Sequence, residues 1–296
     1  ELAAAWLKVL SCAQIANEIE RGLDILTARH QDVPERHRSM RNLLDQSWRR
    51  LPEDEQAVLG RLSVFQGGFS CDAAEEGAGA SLLTLAALVE KSLLQVHPKG
   101  PRRGRYQMHE LLRQYSAEKL GEQGDKEEEV RDRHADYYCK FLNQHHEGLK
   151  GNTQQSSLMA LNMERRNLQI AWERATTRRD LDQVVQAIDG LGRFYEWASN
   201  LAGSAAAFSL IGDNPGYLAN RELRQVQAHA LAWAANYELL SGRTDVAKEQ
   251  LTRSMAILND LAAAGTDTRW QKALALLHWG QLEQPRNLEA AVRAYR

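Results

Sequence analysis

The chain has 296 residues, room for about two domains, and its 43% apolar and 26% charged residues are the balance of an ordinary folded protein. A formal net charge of −2 excludes a global field that would draw the whole chain to nucleic acid or membrane. No apolar stretch approaches the ~20 residues of a membrane span, and no basic-then-apolar signal segment opens the chain.

Cys12, Cys71 and Cys139 are odd in number, widely spaced and without a CxxC, which fits a reducing interior and argues against structural zinc. With only six prolines and abundant Ala, Leu, Glu, Arg and Gln, the expectation is a cytoplasmic, mainly α protein with no membrane partner. "ELAAAWLKVL" opens inside a helical pattern with no cap before it, and "NLEAAVRAYR" stops while another pattern is running. The chain therefore reads as a fragment of a longer polypeptide.

Residues 1–34 form a small helical segment, with Leu2, Trp6, Leu7 and Leu10 on one stripe and Ile15, Ile19, Leu23 and Leu26 on the next. Pro34 breaks it, and Ser39 is a good N-cap for a helix over 40–51 with Leu43, Leu44, Ser47 and Trp48 facing inward. "LPEDEQAVLGRLSVF" starts another helix, since Pro52, Glu53 and Asp54 suit the positive end of a helix dipole. "QGGFS" is a tight turn, "CDAAEEGAG" a short helix, and "SLLTLAALVEKSLL" a strongly apolar helix that runs into a strand at 93–96. Beyond the turn "HPKGPRRGR", a second strand covers 105–108, and Leu111, Leu112, Tyr115 and Leu120 mark a closing helix. Three helices, a short β-hairpin with a basic tip and a closing helix make a winged-helix domain over residues 35–122.

The charge run "GEQGDKEEEVRDRH" marks the next boundary, and beyond it only helices are expected: 127–149, 156–175, 181–198 and then a repeat. Leu191-Gly192-Arg193-Phe194-Tyr195 has the L-G-x-x-Y form of a tetratricopeptide helix A. In that register Ser204 takes the small-residue position of helix B and Phe208 the aromatic position after it. The pair recurs as Ala247 and Leu251, and as Ala291 and Tyr295, at about 43–44 residues against 34 in the standard repeat. A small residue followed one turn later by a bulky one lets neighbouring helices interlock. Residues 123–296 thus read as a tetratricopeptide-like (TPR-like) α-helical solenoid, its long period coming from longer helices.

No GxxxxGK[ST] occurs, so the phosphate-cradling loop of a nucleotide hydrolase is missing and no enzymatic turnover is expected from this chain. "HHEGLK" places Lys150 where HExxH needs its second His, no G-x-S-x-G appears, and no carboxylate pair stands out, so neither catalytic nor metal-binding residues are assigned. Lys99, Arg102, Arg103 and Arg105 on the hairpin could touch a phosphate or DNA backbone, although a solvated turn tip explains them as well. The helix that would enter a major groove offers only Glu90 and Lys91 as polar readers, where base readout needs Arg, Asn or Gln, which speaks against DNA as a partner of this region. Trp6, Trp48, Trp172, Trp197, Trp233, Trp270 and Trp279 lie on helical patterns as packing residues. His109 sits where a strand becomes a helix. Spacing alone leaves open whether it meets a ligand or fills a corner.

Taken in order, "PERHRSMRNLLDQSWRRLPEDEQAVLGRLSVFQGGFSCDAAEEGAG", "LAALVEKSLLQV", "RYQMHELLRQYSAEKL", "RHADYY" and "MERRNLQIAWERA" closely resemble one family. They are similar to the segments that follow the nucleotide-binding core in bacterial signal-transduction ATPases of the STAND class, the NB-ARC-like regulators of the AfsR-like and LuxR-like kind. The resemblance covers nearly the whole chain and is specific through residue 175. In that family "LPLALELAA" closes the ATPase core, so "ELAAAW" here corresponds to the helical piece just after its Pro.

The resemblance implies that the winged helix is a nucleotide-sensing lid for an N-terminal nucleotide-binding domain of the same chain. It implies that the repeats are a platform for a protein partner or small inducer, and that ADP or ATP belongs to the intact parent, with no cofactor in this fragment. The family's Met-His-Asp motif falls on Met108, His109 and Glu110. There the His contacts the β-phosphate of ADP in the resting state, and its loss favours activation. Glu110 replaces the family's Asp, which leaves the acid's partner open. A DNA-binding winged-helix transcriptional regulator with a TPR sensor is the alternative, and a free-standing repeat scaffold capped by a winged helix is a third reading.

Overall fold

The computed structural model describes residues 40–97, 104–197 and 201–284, together with Ala13. Apart from Ala13, the expected helical segment at 1–34 falls outside these residues, as do the Ser39 cap and the Ala291–Tyr295 pair. The chain divides into two units, one ending at His134 and the other beginning at Ala135.

The first unit contains α1 (Met40–Arg49), α2 (Glu53–Leu62), α3 (Cys71–Ala78), α4 (Leu82–Glu90), β1 (Leu94–Val96), β2 (Tyr106–Met108) and α5 (Glu110–Gly121). Local chemistry sets the helix starts. Glu53, Asp54 and Glu55 occupy the first turn of α2. Ser70 Oγ accepts from the Ala73 amide and Ser81 Oγ from the Thr84 amide, each at 3.1 Å. Gly79 ends α3 in the left-handed conformation, φ 62°. Leu59, Leu62, Phe69, Ala74, Leu85 and Leu88 are buried at the centre of the unit.

β1 and β2 pair antiparallel, with Leu94 opposite Met108 and Val96 opposite Tyr106. The sheet gains a further edge that the sequence reading lacked: Phe69 and Tyr106 exchange two backbone hydrogen bonds of 2.9 Å. To reach that pairing the chain turns at Gly67 and Gly68, with φ of 79° and 93°. A Cβ on Gly68 would lie 2.8 Å from the Tyr106 carbonyl oxygen, so glycine is required there on two counts.

On α1, Leu43, Leu44 and Trp48 are half-buried as expected, but Ser47 is exposed. Its hydroxyl donates back to the Leu43 carbonyl at 2.9 Å, so its polar need is met within the helix. Trp48 meets Tyr115 edge-on at 5.7 Å, and the Tyr115 hydroxyl donates to Asp45. Leu112, Tyr115 and Leu120 of α5 are buried, with Leu111 half-buried.

Helix α6 (Asp125–His146) carries residues of both units. The second unit continues with α7 (Gln154–Met163), α8 (Arg165–Arg178), α9 (Leu181–Glu196), α10 (Leu201–Gly212), α11 (Arg221–Leu240), α12 (Thr244–Ala263) and α13 (Arg269–Glu283). The single helix expected over 156–175 is two. Glu164 leaves the helical path between them, and its buried carboxylate accepts from the Tyr138 hydroxyl and the Asn167 side-chain amide, each at 2.9 Å.

Every residue from Val226 to Glu238 of α11 is buried, with α9, α10, α12 and α13 packed around it. Alanines at 228, 230, 232, 234 and 235 let those neighbours approach closely. The repeat positions behave as the pattern requires: Ser204, Phe208, Ala247 and Leu251 are all buried. Phe208 lies 5.6 Å from Trp172 and stacks at 5.9 Å on Tyr237.

The tryptophans expected as packing residues differ in how far they are covered. Trp172 and Trp233 are buried, whereas Trp197 is 57% and Trp270 52% exposed. Trp197 lies just past the last turn of α9 and Trp270 in the first turn of α13, where helix ends leave a ring partly uncovered. Among the described residues no helix is long and apolar enough to cross a membrane.

Candidate functional site

Met108, His109 and Glu110 fall on the junction of β2 and α5, and each does something different. Met108, paired with Leu94, points into the core and is 8% exposed. His109 has extended backbone and caps α5, its Nδ1 accepting from the Leu111 amide at 3.3 Å. An imidazole whose Nδ1 accepts must carry its proton on Nε2, and because His109 is exposed that donor is available to a ligand.

The acid whose partner the sequence left open has one. Arg113 donates to Glu110 through Nε at 2.9 Å and Nη2 at 2.7 Å, and Gln114 adds a third bond at 3.1 Å. The hydrogen bond from Arg113 outweighs partial burial and holds Glu110 below the usual carboxylate range. Arg113 is itself anchored to the Ser63 carbonyl at 3.2 Å, so the pair ties the start of α5 to the end of α2.

His109, Glu110 and Arg113 line a concavity of about 370 Å³ together with Phe65, Phe69 and the Gly67–Gly68 turn. Its chemistry suits one phosphate group. The donor available there is His109 Nε2–H, beside the positive dipole end of α5, whose Leu111 amide is already taken by His109 Nδ1. Arg113 is committed to Glu110, so the two charges cancel locally. The sequence has no GxxxxGK[ST] loop whose amides could hold a whole triphosphate.

Of the four hairpin cations, Lys99, Arg102 and Arg103 fall outside the described residues. Arg105 does not share a solvated tip. It is 8% exposed, its guanidinium lies against Gly68, and its carbonyl accepts from the His97 amide at 3.1 Å. In "HHEGLK", His145 Nδ1 bonds the Phe141 carbonyl at 2.9 Å and Glu147 pairs with Lys150 at 2.9 Å. No His/Cys/Asp/Glu group among the described residues could hold a metal ion.

Residues 51–121 match the family model of the winged helix-turn-helix domain. This region is a winged helix. Its three helices are α2, α3 and α4, β1 and β2 form the base of its wing, and α5 closes it. Proteins from Mycobacterium tuberculosis and Mycobacterium bovis whose names call them HTH-type transcriptional regulators are 35% identical to the chain over 145 residues. The match takes in 47% of this chain and 16% of each relative, so the chain spans a small part of their length. A crystal structure of a STAND protein with a tetratricopeptide repeat sensor, from Pyrococcus horikoshii, is similar over 99% of this chain and 51% of that one, at 16% identity and a TM-score of 0.32.

Sequence reasoning missed Arg113 at this site; it expected the "QGGFS" turn, but not that Gly67 and Gly68 would line the concavity. The Glu110–Arg113 spacing of three on a helix is a legible signal for an ion pair. The approach of Gly68 to β2 carries no such signal, because it follows from the pairing of Phe69 with Tyr106.

Proposed function

We propose that this chain is the regulatory portion of a STAND-type ATPase, with the winged helix as a lid that reads nucleotide state. The TPR-like repeats are then the platform for a protein partner or small inducer. The observation that carries this reading is His109, held by its own helix cap so that Nε2–H faces outward beside a concavity of about 370 Å³. A bound ADP supplies the negatively charged oxygen that such a donor recognises. On this chain, His109 makes the contact at the positive end of α5, and the Glu110–Arg113 pair keeps the helix start in place. Lacking a P-loop, the chain performs no hydrolysis by itself; the nucleotide-binding domain of the same polypeptide would supply the rest of the cradle.

The test is ADP release from the full-length parent. A hydrogen bond to a charged oxygen is worth ~1.5–3 kcal/mol, or about ten- to a hundredfold in affinity. His109→Ala is therefore expected to speed ADP release by about that factor while leaving the winged helix folded. His97→Ala is the control: its ring bonds Gln107 at 2.9 Å on the ribbon and makes no capping contact. Equal release from His109→Ala and wild type would remove the lid reading.

A DNA-binding regulator is the second reading, supported by the winged-helix match and the names of the mycobacterial relatives. The face that α4 exposes weighs against it. Leu82 and Leu83 are 61% and 83% exposed, beside Ala86 and Glu90, so this face presents apolar side chains and a carboxylate in place of the Arg, Asn or Gln of the commonest base contacts.

A further inference from the structure

A cavity of about 600 Å³ opens in the second unit among α9, α11 and α13, well within the size of small-ligand sites. Leu181, Val185, Ile188, Val226 and Trp270 supply apolar wall. Val185 is 58% and Trp270 52% exposed, so two large apolar side chains at this concavity remain uncovered. The carboxylates that line it are Asp182, Asp189 and Glu222; His229 also lines it, paired with Asp189, and there is no Lys or Arg among the lining residues.

Asp189 is built into place. Its Oδ1 accepts from His229 Nε2 at 2.8 Å and Trp233 Nε1 at 3.0 Å, and its Oδ2 accepts from Trp270 Nε1 at 3.1 Å. Burial alone would push this carboxyl up, but the hydrogen bonds from His229, Trp233 and Trp270 outweigh it and hold Asp189 well below the usual carboxylate range. It is therefore ionised, and Oδ2 keeps lone-pair capacity beyond the Trp270 bond. The bond to Asp189 also fixes Trp270, whose half-exposed indole can receive a cation on its ring face.

We infer that this cavity binds an organic cation, an ammonium or guanidinium group carried on an apolar body. The charge is met by Asp189, Glu222 and Asp182, and the body is covered by Trp270, Val185 and Val226. An anion would face Asp182 and Glu222, which no lining Lys or Arg neutralises, while His229 is turned onto Asp189. The same chemistry is offered by a free amine and by a basic side chain of a peptide. The inference deepens the sensor reading above and rests on that reading for its biological role, while the site itself rests on the cavity.

Calorimetric titration of the 296-residue chain tests it. Phenethylamine is the cationic probe, with 2-phenylethanol and 3-phenylpropanoate as its neutral and anionic counterparts. A capped Ala-Ala-Lys-Ala-Ala peptide and its acetyl-lysine form make the peptide arm. The expected result is that a cationic form binds at least about tenfold tighter than its uncharged form in one arm or both, and the arm that binds identifies the source.

Trp270→Leu should weaken binding by about three- to thirtyfold, and Asp189→Asn by about ten- to a hundredfold. Because Asp189→Asn also disturbs its three donors, two of them buried, the exposed pair Asp182→Asn with Glu222→Gln is the second test, and it should weaken binding without affecting folding. Charge-independent binding overturns the inference, as does no binding by any probe below about 10 mM, or unchanged binding in Trp270→Leu and the double variant. In the full-length parent the two readings separate. Cation binding that leaves ADP release unaltered removes the sensor role but keeps the site, whereas loss of the site leaves the His109→Ala result untouched.

Discussion

Replacing Gly192 by alanine sets two effects against each other. In an open helix interior, alanine is favoured over glycine by about 1 kcal/mol. In α9, however, a Cβ on Gly192 would lie 2.4 Å from Trp233 Cε2 and 2.5 Å from Cδ2, distances that no real contact reaches. The indole cannot swing aside cheaply. Trp233 is 1% exposed, and its Nε1 is tied to Asp189 at 3.0 Å. The backbone cannot retreat easily either, since the Tyr237 hydroxyl donates to the Gly192 carbonyl. Overpacking costs about 1–3 kcal/mol, and a rigid ring met by several atoms belongs at the upper end, so the net loss after the helix gain is about 2 kcal/mol.

Gly60 in α2 is the counter-case, with no neighbour of its added Cβ nearer than 3.9 Å. Gly60→Ala should therefore stabilise by up to about 1 kcal/mol. Urea unfolding followed by circular dichroism and tryptophan fluorescence reads both, each on the transition of its own unit. A Gly192→Ala chain as stable as wild type would refute the close approach of α9 and α11. The glycine of the L-G-x-x-Y signature would then be there for some other reason.

His278 is 1% exposed and its pKa is lowered to about 4, chiefly by burial, with the 2.9 Å bond to Gln281 opposing. Its folded pKa lies below the unfolded value of 6.5, so its contribution is complete above pH 6.5 and is lost as pH falls toward 4, by about 3 kcal/mol. Unfolding free energy measured across that window should fall in wild type and flatten in His278→Gln; an unchanged slope in the variant would assign the loss elsewhere. The winged helix should bind DNA only weakly and without sequence preference, at about 10⁻⁴ M or weaker at physiological salt, and Arg102→Glu with Arg103→Glu should abolish even that. Nanomolar, sequence-selective binding in a gel-shift assay at physiological salt would make the DNA-reading role the better one.

Where a structural feature depends on a few neighbouring residues, it can be read from the chain. Ser70 and Ser81 announce α3 and α4 because a capping hydroxyl reaches only three residues ahead. The acids after Pro52 announce α2, and His109 is placed at its junction by an Nδ1 bond that spans two residues. The small-then-bulky pairs Ser204–Phe208 and Ala247–Leu251 announce the repeat because one helix turn separates them.

Other features depend on which distant elements meet. The break at Glu164 exists because Tyr138, 26 residues earlier, donates to its carboxylate. Arg105 is buried because the turn at Gly67–Gly68 brings Phe69 alongside Tyr106, and the same turn supplies a wall of the concavity beside His109. Trp270 lies on a helical pattern that promises packing. Yet it stays half-exposed and binds Asp189 across 81 residues, since only the stacking of α9, α11 and α13 decides what covers a helix end. Hydrogen bonds within a turn form wherever the helix forms, whereas burial and long-range polar contacts wait on the order in which helices pack.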